Sequence, residues 1–535
     1  MKNVAMGTLF LLLVMRAPFA SCQDSLVTAI DRLLAAEFVN DKPGGAVLVA
    51  RNGKILYKKA FGMANLELDV PNSENTVFYI ASNTKQMTAV AILQLMEQGK
   101  LSLQDTMGKY APCPPPASGI TIRQLLSHTS GIVVNVTAPG FKETAGKPLT
   151  EFAPGTKWNY SNTGYSVLGY IIEKVSGQPY GEYIQEHIFK PAGMTSSWVA
   201  NNDRLVKNRA AGYTNGKRGY RNMPLENPAG FYASGGVQST ILDMYRWNEA
   251  LRSGVLLKKT TLDLAFTPQQ LANGDSTTYG FGWHIWDLRG SKSCRHGGAV
   301  PGFFSETLYL PVEGIFVVIL QNSESIAPIG AYTRIIASMM TGNPYSFRET
   351  AMSQKALQGF EGLYANQHRE LVNITAAEGK LYFQRPGGMK YQVKAATDHE
   401  FFFDRDYLWL EFERNAAKQT TGLLFSKVGI GANYWKKTDQ PALKLYPERF
   451  SDSLMTLYAG VYAFAKDDSV FVEKSGGTIV LKSAGKTTHT LVPQTERGFT
   501  TFPGNLHVVF ETPEGQEGAL VLQDGKTKKR ARKIR

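Results

Sequence analysis

The sequence predicts a mixed α/β (α+β) domain with an antiparallel sheet flanked by helices, followed by two small antiparallel β domains. Up to about residue 345, segments with helical periodicity alternate with strand patterns. After about residue 355 the helical periodicity disappears, and short runs of aromatic and β-branched residues alternate with turns, which is typical of all-β structure. This all-β part also repeats itself at a nearly constant offset.

The first region opens with a helix and a hairpin. Residues 25–38 carry apolar side chains at helical spacing. The strand patterns Val47–Val49 and Ile55–Tyr57 flank Asn52-Gly53, and an Asn-Gly pair at this place favours a type I′ turn.

A buried helix and a second hairpin complete the first region. Residues 82–98 are nearly all apolar after the first turn and stop at Gly99. A helix that is apolar on all sides is expected to be buried. Phe304–Leu310 and Ile315–Gln321 form the second hairpin pattern, and 326–340 is again helical.

The all-β region is an internal repeat with an offset of 98 residues. The matching positions are Gly362-Leu363-Tyr364 with Gly460-Val461-Tyr462, Gly379 with Gly477, Leu381 with Ile479, Phe383 with Leu481, Phe401 with Phe499, Phe412 with Phe510 and, at an offset of 96, Gly422 with Gly518. We interpret the repeat as two domains of related fold, each with room for several short strands that close into a small barrel.

These observations set the expected boundaries. They are 1–22 for a signal peptide, 23–345 for the mixed domain, and 355–440 and 450–535 for the two barrel-like domains, with Lys436–Pro447 as the linker.

The N-terminus has the pattern of a secretory signal. Lys2 precedes an apolar stretch from Val4 to Met15, which is too short to span a bilayer as a helix, and small residues follow near Ala20. We therefore expect a secreted or periplasmic protein without a transmembrane helix. Phe19–Cys22 also resembles a bacterial lipoprotein signal, so a lipid anchor at Cys22 is the alternative to simple cleavage.

Cysteines and charge leave two further alternatives open. Without residues 1–22, Cys113 and Cys294 remain, either as one disulfide of an oxidising compartment or as two separate thiols. The formal net charge of +13 fits an affinity for anionic envelope surfaces or a merely basic soluble protein, and we favour the second. The basic tail Lys526–Arg535 is interpreted as a solvated end rather than a surface-binding segment. No zinc-finger, heptad or helix-turn-helix pattern points to nucleic acid.

The strongest chemical signal is Ser82-Asn83-Thr84-Lys85 at the start of the buried helix. Serine is a poor nucleophile unless a nearby base takes its proton. Residues three apart share a helix face, so Lys85 lies beside Ser82, and burial disfavours the charged ammonium. The unpaired N–H groups of the helix N-terminus are placed where an oxyanion would form.

On its own the Ser-x-x-Lys pattern is weak, because Ser483–Lys486 in the second β domain matches it too. The order of further segments adds weight to the first occurrence. Tyr160-Ser161-Asn162 begins 78 residues after Ser82, and His296-Gly297-Gly298, the one His-x-Gly in the chain, begins 136 residues after Tyr160.

These three segments in this order resemble the serine β-lactamase and penicillin-binding-protein superfamily. Leu125–Gly131, Ser234–Val237 and Tyr279–Trp283 also look like that family. The resemblance covers about residues 25–345 and is closest to the branch of class C β-lactamases, esterases and D-aminopeptidases, where the second motif is Tyr-x-Asn. A D-aminopeptidase of this type carries two β-barrel domains after its catalytic domain, which fits the repeat found here.

The resemblance implies a role for each motif residue. Ser82 would attack a carbonyl and form an acyl-enzyme, with Lys85 and Tyr160 sharing the general-base function. Asn162 would hydrogen-bond the substrate and Lys85. The backbone N–H groups of Ser82 and Ala299 would form the oxyanion hole.

The third motif departs from the usual pattern of the family. His296 would lie on a strand edge facing the site, with Gly297 and Gly298 allowing close approach of the substrate. Many relatives have lysine at the place of His296, where its charge helps to hold a substrate carboxylate, whereas histidine is mostly neutral near pH 7. This favours ester, amide or amine-terminal substrates over carboxylate-bearing ones. We interpret His128 as structural.

We therefore expect a serine hydrolase working through an acyl-Ser82 intermediate, with peptidase or aminopeptidase action on D-residue peptides as the leading substrate class. A carboxylesterase or β-lactamase with the same residues and a penicillin-binding or sensing protein without turnover are the alternatives, as is a structural role in which the β domains dock to envelope polymers. The expected partners are small peptide or ester substrates, including cell-envelope peptides. No cofactor and no metal are implied, because acyl transfer needs only side chains and backbone donors.

Overall fold

The chain divides into two compact units, Met1–Tyr345 and Ser346–Arg535. A computed structural model describes residues 17–535 apart from 111–112, 114, 133–149, 202, 217, 224–227, 324–326, 367–369, 386–389, 404–407, 428–429, 444–451, 466–467, 476–477, 484–488, 494–496, 503–505, 512–517, 525–526 and 535.

The first unit combines helices with an antiparallel sheet. Its helices are α1 Ala17–Ala35, α2 Thr84–Glu97, α3 Met107–Tyr110, α4 Ile122–Leu126, α5 Asn162–Ser176, α6 Tyr180–Ile184, α7 Lys190–Ala192, α8 Tyr232–Gly235, α9 Ile241–Arg252, α10 Lys259–Ala265 and α11 Ile329–Met340. Short 3-10 turns lie at Ala81–Asn83, Ala117–Gly119 and Pro228–Phe231, and a π-helical turn lies at Gln185–Phe189. Its strands are β1 Gly45–Arg51, β2 Lys54–Phe61, β3 Met63–Asn65, β4 Val70–Pro71, β5 Phe78–Tyr79, β6 Trp198–Val199, β7 Tyr213–Gly216, β8 Gly219–Asn222, β9 Val237–Ser239, β10 His284–Leu288, β11 Ser291–Val300, β12 Phe303–Leu310 and β13 Ile315–Gln321.

Six of these strands form the central sheet in the order β10-β11-β12-β13-β1-β2. Every neighbouring pair is antiparallel. All seven residues of β13 are buried, as are the first six of β1, which explains their near-continuous apolar sequences. The predicted antiparallel sheet flanked by helices is confirmed.

The predicted first hairpin is present with its expected turn. Asn52 and Gly53 both have positive φ, 51° and 76°, which a type I′ turn requires at both central residues. The turn joins β1 and β2. The second hairpin, β12 and β13, also lies where its sequence pattern indicates.

Helix α2 lies in the centre of the first unit. Every residue from Thr84 to Leu93 is buried, and α2 packs against α5 and α8. This agrees with the burial predicted from the nearly all-apolar sequence after the first turn. The chain leaves the helix at Gly99, whose φ is 70°. The segment predicted to carry the nucleophile is therefore also the core of the unit.

The N-terminal helix begins earlier than the pattern over 25–38 suggests. Helix α1 starts at Ala17, so the expected signal boundary after Cys22 falls within it, while residues 1–16 lie outside the described residues. Within the described part of the chain, no helix is both long and apolar enough to cross a membrane. Cys113 and Cys294 are separate free thiols, which decides between the two alternatives for the pair.

The second unit consists of two closed eight-stranded antiparallel barrels. The first barrel contains β14 Gly362–Ala365, β15 Leu371–Ala377, β16 Lys380–Gln384, β17 Lys390–Ala395, β18 Glu400–Phe402, β19 Leu408–Arg414, β20 Thr420–Lys427 and β21 Ile430–Lys437, preceded by α12 Gln354–Gln358. The second contains β22 Gly460–Ala465, β23 Asp468–Ser475, β24 Thr478–Ser483, β25 His489–Pro493, β26 Gly498–Phe502, β27 His507–Glu511, β28 Ala519–Asp524 and β29 Thr527–Lys533, preceded by α13 Asp452–Tyr458.

Equivalent residues of the sequence repeat make equivalent contacts in the two barrels. The Tyr364 hydroxyl donates to the Phe360 carbonyl at 2.6 Å, and the Tyr462 hydroxyl donates to the Tyr458 carbonyl at 2.9 Å. The ring clusters Phe360–Phe401–Phe412 and Tyr458–Phe499–Phe510 also correspond. The sequence repeat therefore corresponds to two barrels of the same fold.

Two expectations about the barrels are corrected. Lys436 and Lys437 do not belong to a linker but end β21, the last strand of the first barrel. The basic C-terminal segment is not a solvated end: β29 pairs with both β28 and β22 and closes the second barrel, with Ala531 fully buried. A strand with one inward alanine among outward basic residues has too little apolar alternation to be recognised from its sequence.

Asn322 ties three segments of the first unit together. Its side chain is fully buried, Oδ1 accepts from Gly44 N at 2.8 Å, and Nδ2 donates to the carbonyls of Met63 and Ala211 at 3.0 and 2.9 Å. We predict that Asn322→Ala lowers the stability of the first unit by about 2–4 kcal/mol, because it leaves these buried backbone groups without partners.

The matched control is Asn273→Ala, which changes an exposed asparagine whose Nδ2 donates to Asp275. Calorimetry of the full chain measures the unfolding transition of the first unit in both variants. We expect a shift of less than about 0.5 kcal/mol for the control. Equal transition temperatures for the two variants would contradict the role of Asn322.

Candidate active site

Ser82 lies in the 3-10 turn Ala81–Asn83, directly before α2. Ser82 is half-buried, whereas both of its neighbours are fully buried. The preceding Ala81 has a φ of 48°, a left-handed conformation that is rare for a residue with a side chain. Such conformations persist only where the surrounding structure holds them, and they are frequent at active sites.

Lys85 is fully buried one turn after Ser82. Its Nζ lies 3.1 Å from Ser82 Oγ, 2.8 Å from Asn162 Oδ1 and 2.7 Å from the carbonyl oxygen of Ser234. Removal from water holds the pKa of Lys85 well below its usual value. Burial therefore favours the neutral form of the amine, which lies within hydrogen-bond distance of the Ser82 hydroxyl.

Tyr160 and Asn162 come from the start of α5. Ser161 is the N-cap, and its side chain accepts from Gly164 N at 3.1 Å, which fixes both flanking residues at the helix entrance. The Tyr160 ring centroid lies 4.7 Å from Lys85 Nζ. Burial raises the pKa of the Tyr160 hydroxyl, against the opposite effect of a hydrogen bond with Ser82. The phenol is therefore protonated near neutral pH.

The third motif lies on β11. Strand β10 pairs with β11 only as far as Arg295, and the segment from His296 to Ala299 continues past it beside β12. A Cβ on Gly298 would lie 3.0 Å from Ser82 N, so this segment passes directly against the turn that carries Ser82. Ala299 follows and is exposed.

The two glycines make room for protein groups. A Cβ on Gly298 would meet the Ile80 carbonyl at 2.3 Å, and one on Gly297 would meet Glu306 Oε2 at 2.7 Å on the other face of the sheet. Glu306 is held there by a buried ion pair with Arg295. The glycines thus permit close packing of the strand against the Ile80 carbonyl and Glu306. That they also allow close approach of a substrate stays a prediction.

His296 is only 2% exposed, and both of its ring nitrogens are engaged. Nδ1 lies 2.7 Å from the Gly297 carbonyl and Nε2 lies 2.9 Å from the Tyr279 hydroxyl. A carbonyl only accepts, so Nδ1 carries the proton and Nε2 accepts from Tyr279. Burial, followed by the effects of His284 and Lys85, holds the pKa of His296 well below its usual value. His296 thus contributes no positive charge at neutral pH.

His128 is also buried in this cluster. Its Nδ1 accepts from Ser161 N at 3.1 Å, and its ring centroid lies 4.4 Å from that of Tyr160. Its φ is 59°, and burial holds its pKa well below the usual value. His128 therefore has the structural role that we expected. It holds the segment that carries Tyr160 through the hydrogen bond from Ser161 N.

Two contributors escaped sequence reasoning. Tyr279 is fully buried and donates to His296, and the Ser234 carbonyl accepts from Lys85. Both lie in segments that resemble family motifs, Tyr279–Trp283 and Ser234–Val237, but the resemblance alone assigned them no function. The competing Ser-x-x-Lys pattern starts at Ser483, the last residue of β24, and its remaining residues lie outside the described part of the chain.

Metal-binding side chains are not grouped at this site. Among the residues described, no three His, Cys, Asp or Glu side chains are placed to hold a metal ion together. The candidate chemistry belongs to a serine, a lysine, a tyrosine and an asparagine.

Comparison with known families agrees with this geometry. The family model described as β-lactamase matches residues 30–336, which is more than half of the chain. The chain belongs to the β-lactamase family. It is thus a member of the serine hydrolases that have this fold, a group that includes penicillin-binding proteins.

Individual relatives of the family fall in the same group. The chain is 33% identical over 305 residues to a putative penicillin-binding protein, PbpX, of Bacillus subtilis, covering 55% of this chain and 75% of the relative. It is 27% identical over 333 residues to a D-aminopeptidase of Gluconobacter oxydans, covering 59% and 62%. The structure of a penicillin-binding protein homologue from Pyrococcus abyssi aligns with a TM-score of 0.53 at 24% identity, covering 78% of this chain and 100% of that one, and supports the shared fold.

Because the pKa of Lys85 is lowered in the folded protein, we predict that the free energy of unfolding of the first unit depends on pH. An unfolded lysine is protonated below about pH 10.4, whereas folded Lys85 stays neutral down to its lowered pKa. Between these two values unfolding takes up a proton, so stability increases with pH by up to about 1.4 kcal/mol per unit. Lys85→Met removes this contribution. We expect the stability of the wild type relative to Lys85→Met to rise between about pH 8 and pH 10.

Denaturant unfolding of the first unit at several pH values measures this difference. Lys100→Met, which replaces an exposed lysine just after α2, is the matched control and should leave the pH slope unchanged. A pH-independent difference between wild type and Lys85→Met would mean that folded Lys85 is charged.

A second prediction concerns His128. Asparagine tolerates the left-handed backbone and offers Oδ1 as an acceptor for Ser161 N, whereas leucine provides neither. We expect His128→Leu to destabilise the first unit by about 2–3 kcal/mol and His128→Asn by less than half as much. Thermal unfolding of both variants tests the comparison, and equal losses would show that only the size of the ring matters.

Proposed function

We propose that the protein hydrolyses amide bonds of D-residue peptides through an acyl-Ser82 intermediate, acting as a peptidase or aminopeptidase. We further propose that it works as a secreted or periplasmic enzyme, directed by residues 1–22. A lipid anchor at Cys22 is the alternative form of export. Mass spectrometry of the mature N-terminus distinguishes cleavage, lipidation and retention of the segment.

The environment of Lys85 is the observation that carries the catalytic part of the proposal. A neutral amine has two N–H donors and one lone pair. Asn162 Oδ1 and the Ser234 carbonyl occupy the two donors at 2.8 and 2.7 Å. The lone pair is then left for the Ser82 hydroxyl, 3.1 Å away. This is the arrangement that a general base needs.

The reaction follows from these positions. Lys85 takes the proton of Ser82 as Oγ attacks the substrate carbonyl carbon. The resulting oxyanion is stabilised by the N–H groups of Ser82 and Ala299. As the carbon–nitrogen bond breaks, the leaving amine receives a proton from the Lys85 ammonium, with the Tyr160 hydroxyl beside it. Water then attacks the acyl carbon as Lys85 takes its proton. The bond between that carbon and Ser82 Oγ breaks, the acid leaves, and the Lys85 ammonium returns the proton to Oγ, which restores the free serine and the neutral amine.

The charge of the site supports the substrate class. The family resemblance implies a lysine at this place in β-lactamases and penicillin-binding carboxypeptidases, where it helps to hold a substrate carboxylate. Here His296 stands there, with both ring nitrogens engaged and its pKa held well below the usual value. A substrate whose reacting end is a neutral amide therefore suits the site better than one that needs a cation for its carboxylate. The similarity to the D-aminopeptidase points in the same direction.

A carboxylesterase is the second candidate. The same Ser82–Lys85 pair attacks esters, whose leaving groups need less protonation than amines do. A β-lactamase, or a penicillin-binding protein that acylates without turnover, uses the same residues as well. The substrate comparison described next separates these activities.

We predict that a fluorophosphonate probe adds one adduct to the wild-type protein and none to Ser82→Ala, as measured by intact mass. Ser483→Ala, which removes the other Ser-x-x-Lys serine, is the matched control and should be labelled like the wild type. An adduct that survives in Ser82→Ala, or a folded wild type that stays unlabelled, would contradict the assignment of the nucleophile.

Turnover then identifies the substrate class. We expect D-amino acid amides and anilides to be cleaved with kcat/KM at least about tenfold higher than a D-Ala-D-Ala dipeptide with a free carboxylate or benzylpenicillin. Cleavage of simple esters alone would favour the carboxylesterase, and a stable penicillin adduct would favour the non-turnover protein.

A further inference from the structure

We propose that Ser305 and Asn83 are positioning residues that hold the turn of Ile80, Ala81 and Ser82 and thereby set the acylation rate of Ser82. The inference rests on the proposed function, because it concerns the same nucleophile. Neither residue contacts the reacting atoms. Each acts through the backbone that precedes the serine.

The turn needs external support because its backbone is strained. Ala81 is fully buried and has a φ of 48°. For a residue with a side chain this conformation costs roughly 1–2 kcal/mol. The peptide between Ala81 and Ser82 carries the Ser82 N–H, which the mechanism uses in the oxyanion hole. Relaxation of Ala81 would rotate that N–H away from its working direction.

The Ile80 carbonyl is the point at which the turn is held. It accepts from the Ser305 hydroxyl at 2.6 Å and from Asn83 N at 3.1 Å, while Ile80 N donates to the Val237 carbonyl at 3.0 Å. The hydrogen bond from Ser305 links the turn to the first half of β12, in the central sheet.

Ser305 is the last side chain in a buried series of hydrogen bonds that ends at the Ile80 carbonyl. Trp247 Nε1 donates to Gln86 Oε1, Gln86 Nε2 to Thr307 Oγ1, Thr307 Oγ1 to Asn83 Oδ1, Asn83 Nδ2 to Ser305 Oγ, and Ser305 Oγ to the Ile80 carbonyl, at distances of 3.2, 2.9, 2.7, 2.8 and 2.6 Å. None of the five side chains is more than 3% exposed.

All five hydrogen bonds of this series run in the same donor-to-acceptor direction. The indole N–H of Trp247 can only donate, and the Ile80 carbonyl at the other end can only accept. Every amide and hydroxyl between them is therefore oriented toward Ile80. A network in which each member is satisfied is rigid, and losing one member leaves buried groups without partners.

The glycine of the third motif provides the space for this chain. A Cβ on Gly298 would lie 2.4 Å from Ser305 Oγ and 2.3 Å from the Ile80 carbonyl oxygen. Strand β11 can therefore pass close to the nucleophile turn only because Gly298 has no side chain. The second glycine of His296-Gly297-Gly298 thus serves the alignment of Ser82.

The test compares Ser305→Ala with a matched buried serine. Ser338 is also fully buried, and its hydroxyl also donates to a backbone carbonyl, that of Ile335 at 2.8 Å, but it lies in α11. Saturation kinetics with a fluorophosphonate give kinact and KI for the wild type, Ser305→Ala and Ser338→Ala, with a melting temperature for each protein.

We expect Ser305→Ala to lower kinact by about 10- to 100-fold with KI changed less than about threefold, because misplacing a reacting group lowers the rate of the chemical step. Ser338→Ala should lose comparable stability and keep the wild-type kinact. A folded Ser305→Ala protein with wild-type kinact would overturn the inference, as would an equal loss of kinact in Ser338→Ala.

A second pair of variants keeps the test valid if Ser305→Ala does not fold. Thr307→Val removes the hydroxyl that donates to Asn83, and Thr307→Ser retains it. We expect kinact to fall in the valine variant and to be restored in the serine variant. Equal kinact values in both would overturn the inference. If the wild type itself is not acylated, the proposed function fails instead, so the two failures are distinguishable.

Discussion

The site depends on one unfavourable burial, that of the Lys85 amine in the centre of the first unit. An ammonium there would lack the hydration that stabilises its charge, so burial holds the pKa of Lys85 well below its usual value and favours the neutral amine. The same burial fixes its position, because the surrounding helix α2 is part of the core. Because Ser82 lies in the turn directly before α2 and Lys85 in the first turn of α2, the local backbone brings the two side chains together. What the rest of the unit must supply is alignment.

Two parts of the first unit hold the site residues in place, the start of α5 and the central sheet. From the α5 side, Ser161 caps the helix and its backbone N–H donates to His128 Nδ1, which holds Tyr160 and Asn162 beside the lysine. From the sheet side, Gly298 lets β11 approach and Ser305 holds the Ile80 carbonyl. The strained Ala81 follows the residue whose carbonyl Ser305 holds. Strain is sustainable here because both supports belong to buried, well-packed elements.

The parts that the sequence predicts are those encoded by local patterns. The Asn52-Gly53 hairpin, the buried helix after Ser82 and the 98-residue repeat each follow from neighbouring residues or from self-similarity. Ser305 and Tyr279 could not be assigned in this way, since their functions depend on which distant segment packs against them. The strand β29 was missed for a related reason, because only barrel closure gives its basic residues an ordered place.

In the proposed mechanism, the desolvation that favours Lys85 as a base also affects how the leaving group departs. Once Lys85 had taken the Ser82 proton, the ammonium would stand in surroundings that disfavour it, because burial also holds the pKa values of the nearby His128 and His296 well below their usual value. A proton in such a place is strongly acidic and is transferred readily to a leaving nitrogen. Amines leave an acyl carbon only when protonated, whereas alkoxides leave more easily without this help. The Lys85 ammonium would thus hold the proton that a leaving amine requires. For this reason we place amides ahead of esters as substrates.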